Sequence, residues 1–390
     1  MPTVASGVRA NLRYIVETTQ GVTPTTPTLK KFRATGRNLN LEKNLLESAV
    51  VETHRMQRDV RHGFNRVVGA PGYELSMENQ DDFIEAALGG TWAAVTTAGS
   101  PDLAVTASGT ILTRATGNFV TDGYRAGDYV TTASFSDTGN NGTFLVTAVT
   151  TTTLILGTAT TLVDEASDTG PTVVLAGKRV GVGNTLRTFA VERAFEDITQ
   201  FQLFNGVSVN SWALRVQPEQ IVGGTFDMMG MSAQPLSGST ASTGGTPTEP
   251  ADRDPFDAFS GAVYEGGAAL ALVTGVDFTL TNNNRREAIV GQATSPCVFH
   301  GRAGLSGTAT VFFQDAVMFN KFKNETESSL WFKLDDPNGV DFLSVVMPRV
   351  KYNAGGIDPP ADGPCLITMP FVSLYDDTTA TCLSIQRSTS

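Results

Sequence analysis

Residues 34–44 read ATGRNLNLEKN, and residues 273–283 read VTGVDFTLTNN. Each opens near a Thr-Gly and continues with alternating apolar positions, Leu39 and Leu41 in the first, Val276, Phe278 and Leu280 in the second. Alternation with period two marks a strand with one buried face. The segments downstream of the two copies also match in order. A polar, Arg-containing segment comes next, ESAVVETHRMQRDVRHG (47–63) or NNNRREAIVGQ (282–292), and then a Gly-rich turn leads into a strand, GAPGYELSM (69–77) or GLSGTATVFF (304–313). A short helix is predicted after each strand.

The first helix falls in NQDDFIEAALGG (79–90). Asn79 is suited to cap it, Asp81, Asp82 and Glu85 complement the positive end of its dipole, and Gly89 supplies a left-handed stop. Phe83, Ile84, Ala87 and Leu88 form its apolar stripe. The second falls in QDAVMFNKFKN (314–324), with Asp315 at the start, Lys321 and Lys323 at the finish, and Val317, Met318, Phe319 and Phe322 as the side expected to be buried. A tryptophan comes after each, Trp92 or Trp331. After Trp331 the turn DDPNG (335–339) leads into DFLSVVMPRV, CLITMPFVSLYD and TCLSIQR. After Trp92 the matching strands come only at RTFAVERAF, VNSWALRVQPEQ and GGTFDMMGM.

The residues between are Thr-rich and almost uncharged, with alternating runs such as GTFLVTAV and TTTLILGT separated by turn clusters such as SDTGNNG. They read as a small all-β module inserted at a hairpin turn, where the flanking strands still pair. Residues 233–255, rich in Pro, Gly, Ser and Thr, can bury little. The expected fold is therefore mainly β. It has two tandem β-barrel or sandwich units, each flanked by a short helix, plus an inserted small β-sandwich domain. The units span 1–95 with 183–232, and 256–390; the insert is 96–182 and a flexible linker is 233–255.

The chain has 390 residues, 41% of them hydrophobic and 39 of them Gly, enough for several folded, turn-rich domains. Three cysteines, Cys297, Cys365 and Cys382, are too few for a disulfide scaffold and have no zinc spacing. His54, His62 and His300 offer no helix-spaced metal pair. No cofactor and no metal are expected. No apolar run approaches the roughly 20 residues that cross a bilayer, and the first residues lack the apolar core of a secretory signal, so no membrane partner is expected.

Motifs that resemble chemistry are incomplete. VGVGNTL (180–186) has two glycines of a dinucleotide fingerprint without a βαβ frame. GLSGT places Ser306 between glycines but lacks the nucleophile-elbow pattern. The Asp pairs at 81–82, 335–336 and 376–377 fit a helix start and turns. No enzyme is expected. The one local basic feature is Arg55, Arg58, Arg61 and Arg66, interrupted by Glu52 and Asp59. It is read as a salt-bridging hairpin face and a candidate subunit interface. The net charge of −11 argues against a nucleic-acid grip, which needs a basic face.

ANLRYIVETTQGVTP (10–24), ELSMENQDDFIEAALGGTW (74–92), GLSGTATVFFQDAVMFNKF (304–322) and SLWFKL (329–334) together resemble the tail tube, or major tail, proteins of long-tailed bacteriophages. NFVTDGYRAGDYVTTASFSDTGNNGTFLVTAV (118–149) resembles small β-sandwich domains attached to phage virion proteins. The resemblance implies a virion protein, assembled in the host bacterial cytoplasm, whose copies close into stacked rings forming a conduit for DNA ejection. Two units per chain then favour homotrimeric, pseudo-hexameric rings, with a homohexamer as the alternative. Tape-measure and tail-terminator or tail-tip proteins are the implied partners, and DNA passes through the lumen without specific binding. The lumen is expected to be acidic and neutral polar, because residues 183–390 hold 13 basic and 22 acidic side chains. The competing reading is an adhesin or carbohydrate-binding virion or surface protein that uses the Thr-rich module as its head.

Overall fold

The computed structural model describes residues 4–51, 53–96, 102–106, 110–157, 162–258, 261–270, 272–336, 341–357 and 359–389. The fold is mainly β, and its strands fall into two sets laid out alike. The first set is β1 (Ala10–Glu17), β2 (Asn40–Glu47), β3 (Val60–Gly69, resumed after Pro71 as Gly72–Glu74), β4 (Thr188–Phe195), β5 (Gln200–Val216) and β6 (Gly223–Gly230), with helix α1 (Asp81–Leu88) between β3 and β4. The second is β7 (Gly261–Glu265), β8 (Val273–Thr281), β9 (Gly304–Phe312), β10 (Ser328–Asp335), β11 (Phe342–Tyr352) and β12 (Leu366–Ser373), with α2 (Val317–Lys323) between β9 and β10. A last strand, β13 (Ser384–Arg387), pairs with β11.

Pairing is antiparallel and keeps one order in both sets. In the first it runs β1–β4–β5–β6–β3–β2, and in the second β7–β10–β11–β12–β9–β8. The registers agree as well. Val67 and Tyr73 face Gly230 and Gly224 in the first set, while Leu305 and Val311 face Ser373 and Ile367 in the second. Ala10 and Tyr14 face Phe195 and Val191, while Gly261 and Glu265 face Leu334 and Leu330. Because a slip of one residue turns every side chain to the other face, matched registers mean matched inner faces.

Helix α1 forms because Phe83, Ile84, Ala87 and Leu88 recur at helical spacing, and all four are buried, as is Ala86. Phe83 lies among Tyr14, Phe32, Phe189 and Phe226, with centroids 4.6–5.5 Å away. Gly89 ends the helix at φ 64°, its N–H donating to Glu85 O, as expected of a left-handed stop. The cap differs from expectation. Asn79 does not cap α1; it donates to Ser76 Oγ and Ala251 O, and Gln80 is the first flanking residue. Helix α2 also departs from expectation, since Met318 alone is buried and Val317 is 54% exposed.

The strand orders also correct the alignment of connections. DDPNG joins β10 to β11, a hairpin whose counterpart is the link between β4 and β5 at residues 196–199; Pro337, Asn338 and Gly339 lie outside the described residues. The long excursion between α1 and β4 has as its counterpart residues 324–327, between α2 and β10. Trp331 is therefore a residue of β10, opposite Tyr264 and Val346, and is not equivalent to Trp92.

Within that excursion, seven short strands form one antiparallel sheet in the order 165–168, 103–106, 111–114, 153–156, 142–149, 129–133, 172–175. It curls over its own core, which includes Leu103, Leu112, Phe119, Val130, Val146 and Leu154. Asn118 accepts from the N–H groups of Val120 and Thr121, turning the chain into a single helical turn. The stem of the module is itself paired, Ala93 with Arg179 and Thr96 with Val174. Residues 233–255 run as an irregular strap along the first set. Glu192, 1% exposed, accepts from Arg13, Thr240 Oγ and the Ala241 N–H, which anchors the strap.

Candidate functional site

The surfaces with functional content are joints between strands. The first lies inside the chain. Ser211–Val216 of β5 pairs with β6 on one side, and on the other with Thr281–Val276 of β8, so the two sets form a continuous sheet. Trp212, 1% exposed, meets Phe278 edge-on at 5.2 Å across this joint, and one hydrophobic core runs through both sets. The run NNN at 282–284 closes the joint. Asn282 Nδ2 donates to Ala87 O at the end of α1 (2.8 Å) and to Val209 O (3.2 Å), and Asn284 Nδ2 donates to Val209 O (3.1 Å). At the other end of α1, Asp81 pairs with Arg387 at 2.6 Å. Helix α1 thus holds the second set to the first. Three consecutive asparagines directly after a strand were the readable signal, because short amides satisfy carbonyls that a strand end leaves open.

The second surface is an arm. Strands β2 and β3 continue beyond the sheet as a hairpin whose apolar side chains Leu45, Leu46, Val50, Val51 and Met56 are 58–95% exposed. All four predicted interface arginines belong to it. Arg55 and Arg58 lie in the tip, and Arg61 and Arg66 on β3; all four are exposed. The structure brings them onto one hairpin without packing them together. Arg61 reaches Asp59 at 3.4 Å with both side chains mostly exposed, a pair of negligible energetic weight. Glu52, the other expected partner, lies outside the described residues. The second set has a folded counterpart at 282–303, where Arg286 donates to Val67 O and Gly230 O, and Ala293 O accepts from the Asn65 N–H.

The third surface is where the module rests. Inserted in the first set, it docks on the second. Lys178–Gly181 pairs along β13. Gln386, 1% exposed, accepts from the Tyr129 N–H and donates to Tyr129 O and Ala176 O. Ser344 Oγ donates to Gly127 O, and Tyr129 stacks on Phe342 at 4.1 Å. Beside them Arg179 pairs with Asp128 at 2.6 Å, both buried, and Arg125 donates to Thr379 O. Burial pushes the Asp128 carboxyl above its ordinary range, against the pull of Arg179 and Arg125. Burial and Arg179 push the Arg125 guanidinium down to about 10.

Residues that suggested chemistry take structural places. Gly181 is in a strand, and Gly183 packs on Gly89 and Gly90. Ser306 lies mid-strand in β9 between Thr279 and Val372. Asp81 and Asp82 pair with Arg387 and Lys30, Asp335 pairs with Lys333, and Asp376 accepts from the Thr379 N–H in a turn. Cys297, Cys365 and Cys382 are free thiols, all partly buried. Among the described residues, no group of three His, Cys, Asp or Glu side chains converges as metal ligands, and no helix is long and apolar enough to cross a membrane.

A protein whose exposed features are sheet edges and a hairpin arm has the anatomy of a component that joins to others. The family model described as phage tail tube protein matches residues 7–374. The chain belongs to the phage tail tube protein family. It is a structural component of the virion tail, and the match spans the module as well as both strand sets. The adhesin reading, which made the module the functional head, is not favoured. A comparison with curated proteins finds no match.

Proposed function

We propose that each chain contributes two wall units to the tube, 1–95 with 183–232 and 256–390, carrying 96–182 as a module outside the wall. Three chains then close one ring, and rings stack into the conduit. The observation that carries this reading is the shared strand order and register of the two sets, joined edge to edge by β5 and β8. A closed assembly needs a heterologous contact that returns on itself, and two units per chain reach pseudo-sixfold closure with three chains.

The arm with Arg55, Arg58, Arg61 and Arg66 contacts a neighbouring subunit. Tape-measure and terminator or tip proteins meet the tube at its bore and its ends. DNA passes without specific binding, along a lumen of acidic and neutral polar side chains, and assembly takes place in the host cytoplasm. The chain has no catalytic role in this scheme.

Helical reconstruction of tubes grown from the purified chain tests the ring. Three chains per ring, with three module densities outside the wall, is the expected result. Six chains per ring would overturn the trimer, and a chain that forms no tubes or rings would overturn the whole reading.

A further inference from the structure

The joint inside the chain has a partner-less copy at each end. In the first set, β5 receives β8 along Ser211–Val216. The residues of the second set that occupy the same register on β11 and its continuation are those from Ala354 onward. The correspondence is fixed by the neighbouring strand, since Ala213 and Leu214 face Thr225 and Gly224 of β6, just as Gly356 and Ile357 face Thr368 and Ile367 of β12. Among the described residues, no strand lies on the outer side of 354–357. Residues 354 and 356 are exposed, and 355 and 357 are half-buried.

The opposite edge also lacks a partner strand among the described residues. The counterpart of Val276–Thr281 in the first set is Arg37–Glu42. Leu41 faces Val67 as Leu280 faces Leu305, and Ala34 faces Tyr73 as Val273 faces Val311. These are the residues of the repeated sequence ATGRNLNLEKN. In the second set this stretch is covered by β5. In the first set, among the described residues, its outer side carries no strand; Arg193 reaches it with a side chain, donating to Leu39 O at 3.0 Å and to Asn40 Oδ1 at 3.1 Å.

We infer that the contact between successive chains repeats the joint within the chain: Arg37–Glu42 of one copy adds as a strand to Ala354–Ile357 of the next. The inference rests on the tube reading and names the surfaces that build it. In the transferred register, Asn40 lies opposite Gly356 as Thr279 lies opposite Ala213, and Leu39 lies opposite Ile357 as Phe278 lies opposite Leu214. An open strand edge is a row of unpaired backbone groups, which a second copy satisfies with the geometry the chain already uses internally.

The two edges differ, so the contact is head to tail and leads on to a third copy. Helix α2 agrees with this arrangement. Within the chain, the residue after β8, Asn282, reaches the end of α1. Between chains, Lys43, the counterpart of Asn282, arrives at the C-terminal end of α2.

The test uses full-length chains in which Cys297, Cys365 and Cys382 are replaced by Ser. Asn40→Cys is placed in one preparation and Gly356→Cys in another, and the two are mixed before assembly, so that any link formed on oxidation joins different chains. Tube formation under reducing conditions, read by electron microscopy, reports that each variant still folds and assembles. The expected result is a covalent dimer at least tenfold more abundant than from Glu47→Cys mixed with Gly356→Cys, which is off register.

Tubes in which the Asn40 and Gly356 variants do not link, or link no better than the Glu47 control, would overturn the proposed joint while leaving the tube reading standing. If the unsubstituted chain itself forms no tubes, both fall together. As an internal reference, Ala213→Cys with Thr279→Cys in one chain should link without forming a dimer.

Discussion

Asp81 opens α1 with its carboxylate against Arg387, in a setting where both side chains are mostly buried. Burial, together with the nearby charges of Asp82 and Glu78, outweighs Arg387 and pushes its pKa up to about 6. In the unfolded chain a carboxyl of this kind titrates near 4. Between those values the folded chain holds a proton that the unfolded chain has released. The stability this group contributes is therefore complete below about pH 4 and is lost as the pH rises through about 6. The slope is at most about 1.4 kcal/mol per pH unit, and the total about 2–3 kcal/mol. Urea unfolding of the unassembled chain at pH 4, 5, 6 and 7 should show this decline superimposed on the titration of other groups. Asp81→Asn should flatten it, and an unchanged slope in that variant would place the titration elsewhere.

At the scale of elements, the module is better excised through its stem than at its outer bounds. Removing 96–182 takes away Lys178–Gly181, the strand that covers β13, and so strips an edge whose Gln386 and Ser384 are buried. Thr96 and Val174 already face each other across an antiparallel bridge. Replacing 97–173 by Asn-Gly, the residues that favour a two-residue hairpin turn, keeps the covering strand. This shorter variant should form tubes of reduced diameter, seen by electron microscopy, and should melt below the parent, because Arg179 loses Asp128 and Gln386 loses Tyr129. The 96–182 deletion should melt lower, and equal melting of the two would show that the covering strand adds no stability.

The same elements mark what was legible in the sequence. Strand alternation around Leu39 and Phe278, the stripe of α1 and the stop at Gly89 were all readable, because each is a local pattern with a local physical cause. The cap was not, because the Asn79 amide finds better partners in Ser76 and Ala251, the latter far along the chain. The buried face of α2 was legible only in part: Met318 enters the core and Phe319 and Phe322 pack against it half-buried, while Val317 stays exposed. The counterpart of the insertion was misplaced by one hairpin. Trp92 and Trp331 lie at equal distances from their Thr-Gly motifs, but side-chain identity says less about equivalence than the register of Leu305 on Ser373 and Val67 on Gly230. The arginines of the arm were recognisable as a group; of their two expected partners Asp59 reaches Arg61 in an exposed pair, and Glu52 lies outside the described residues.

For the whole molecule, a net charge of −11 sets the relation to DNA. Binding to a duplex gains from release of condensed counterions only when basic groups replace them. Assembled tubes should therefore show no measurable retention of duplex DNA at 50 mM salt, and no change between 50 and 200 mM, by fluorescence anisotropy with a labelled oligonucleotide. Retention that weakens steeply with salt would mean that basic side chains line an accessible surface. Arg55, Arg58, Arg61 and Arg66 on the arm would be the first to replace.

The joint between β5 and β8 also changes the kinetics of building a wall. Bringing two free subunits together costs translational and rotational freedom, of the order of 4–15 kcal/mol per association. Two units held on one polypeptide meet at an effective concentration set by the strap between them, not by the amount of protein in the cell. The proposed ring of three such chains closes after two encounters in solution, where six separate units would require five. Nucleation then depends on a lower power of concentration. In the proposed ring, a fused pair begins assembly at a protein level at which single units would still be dispersed.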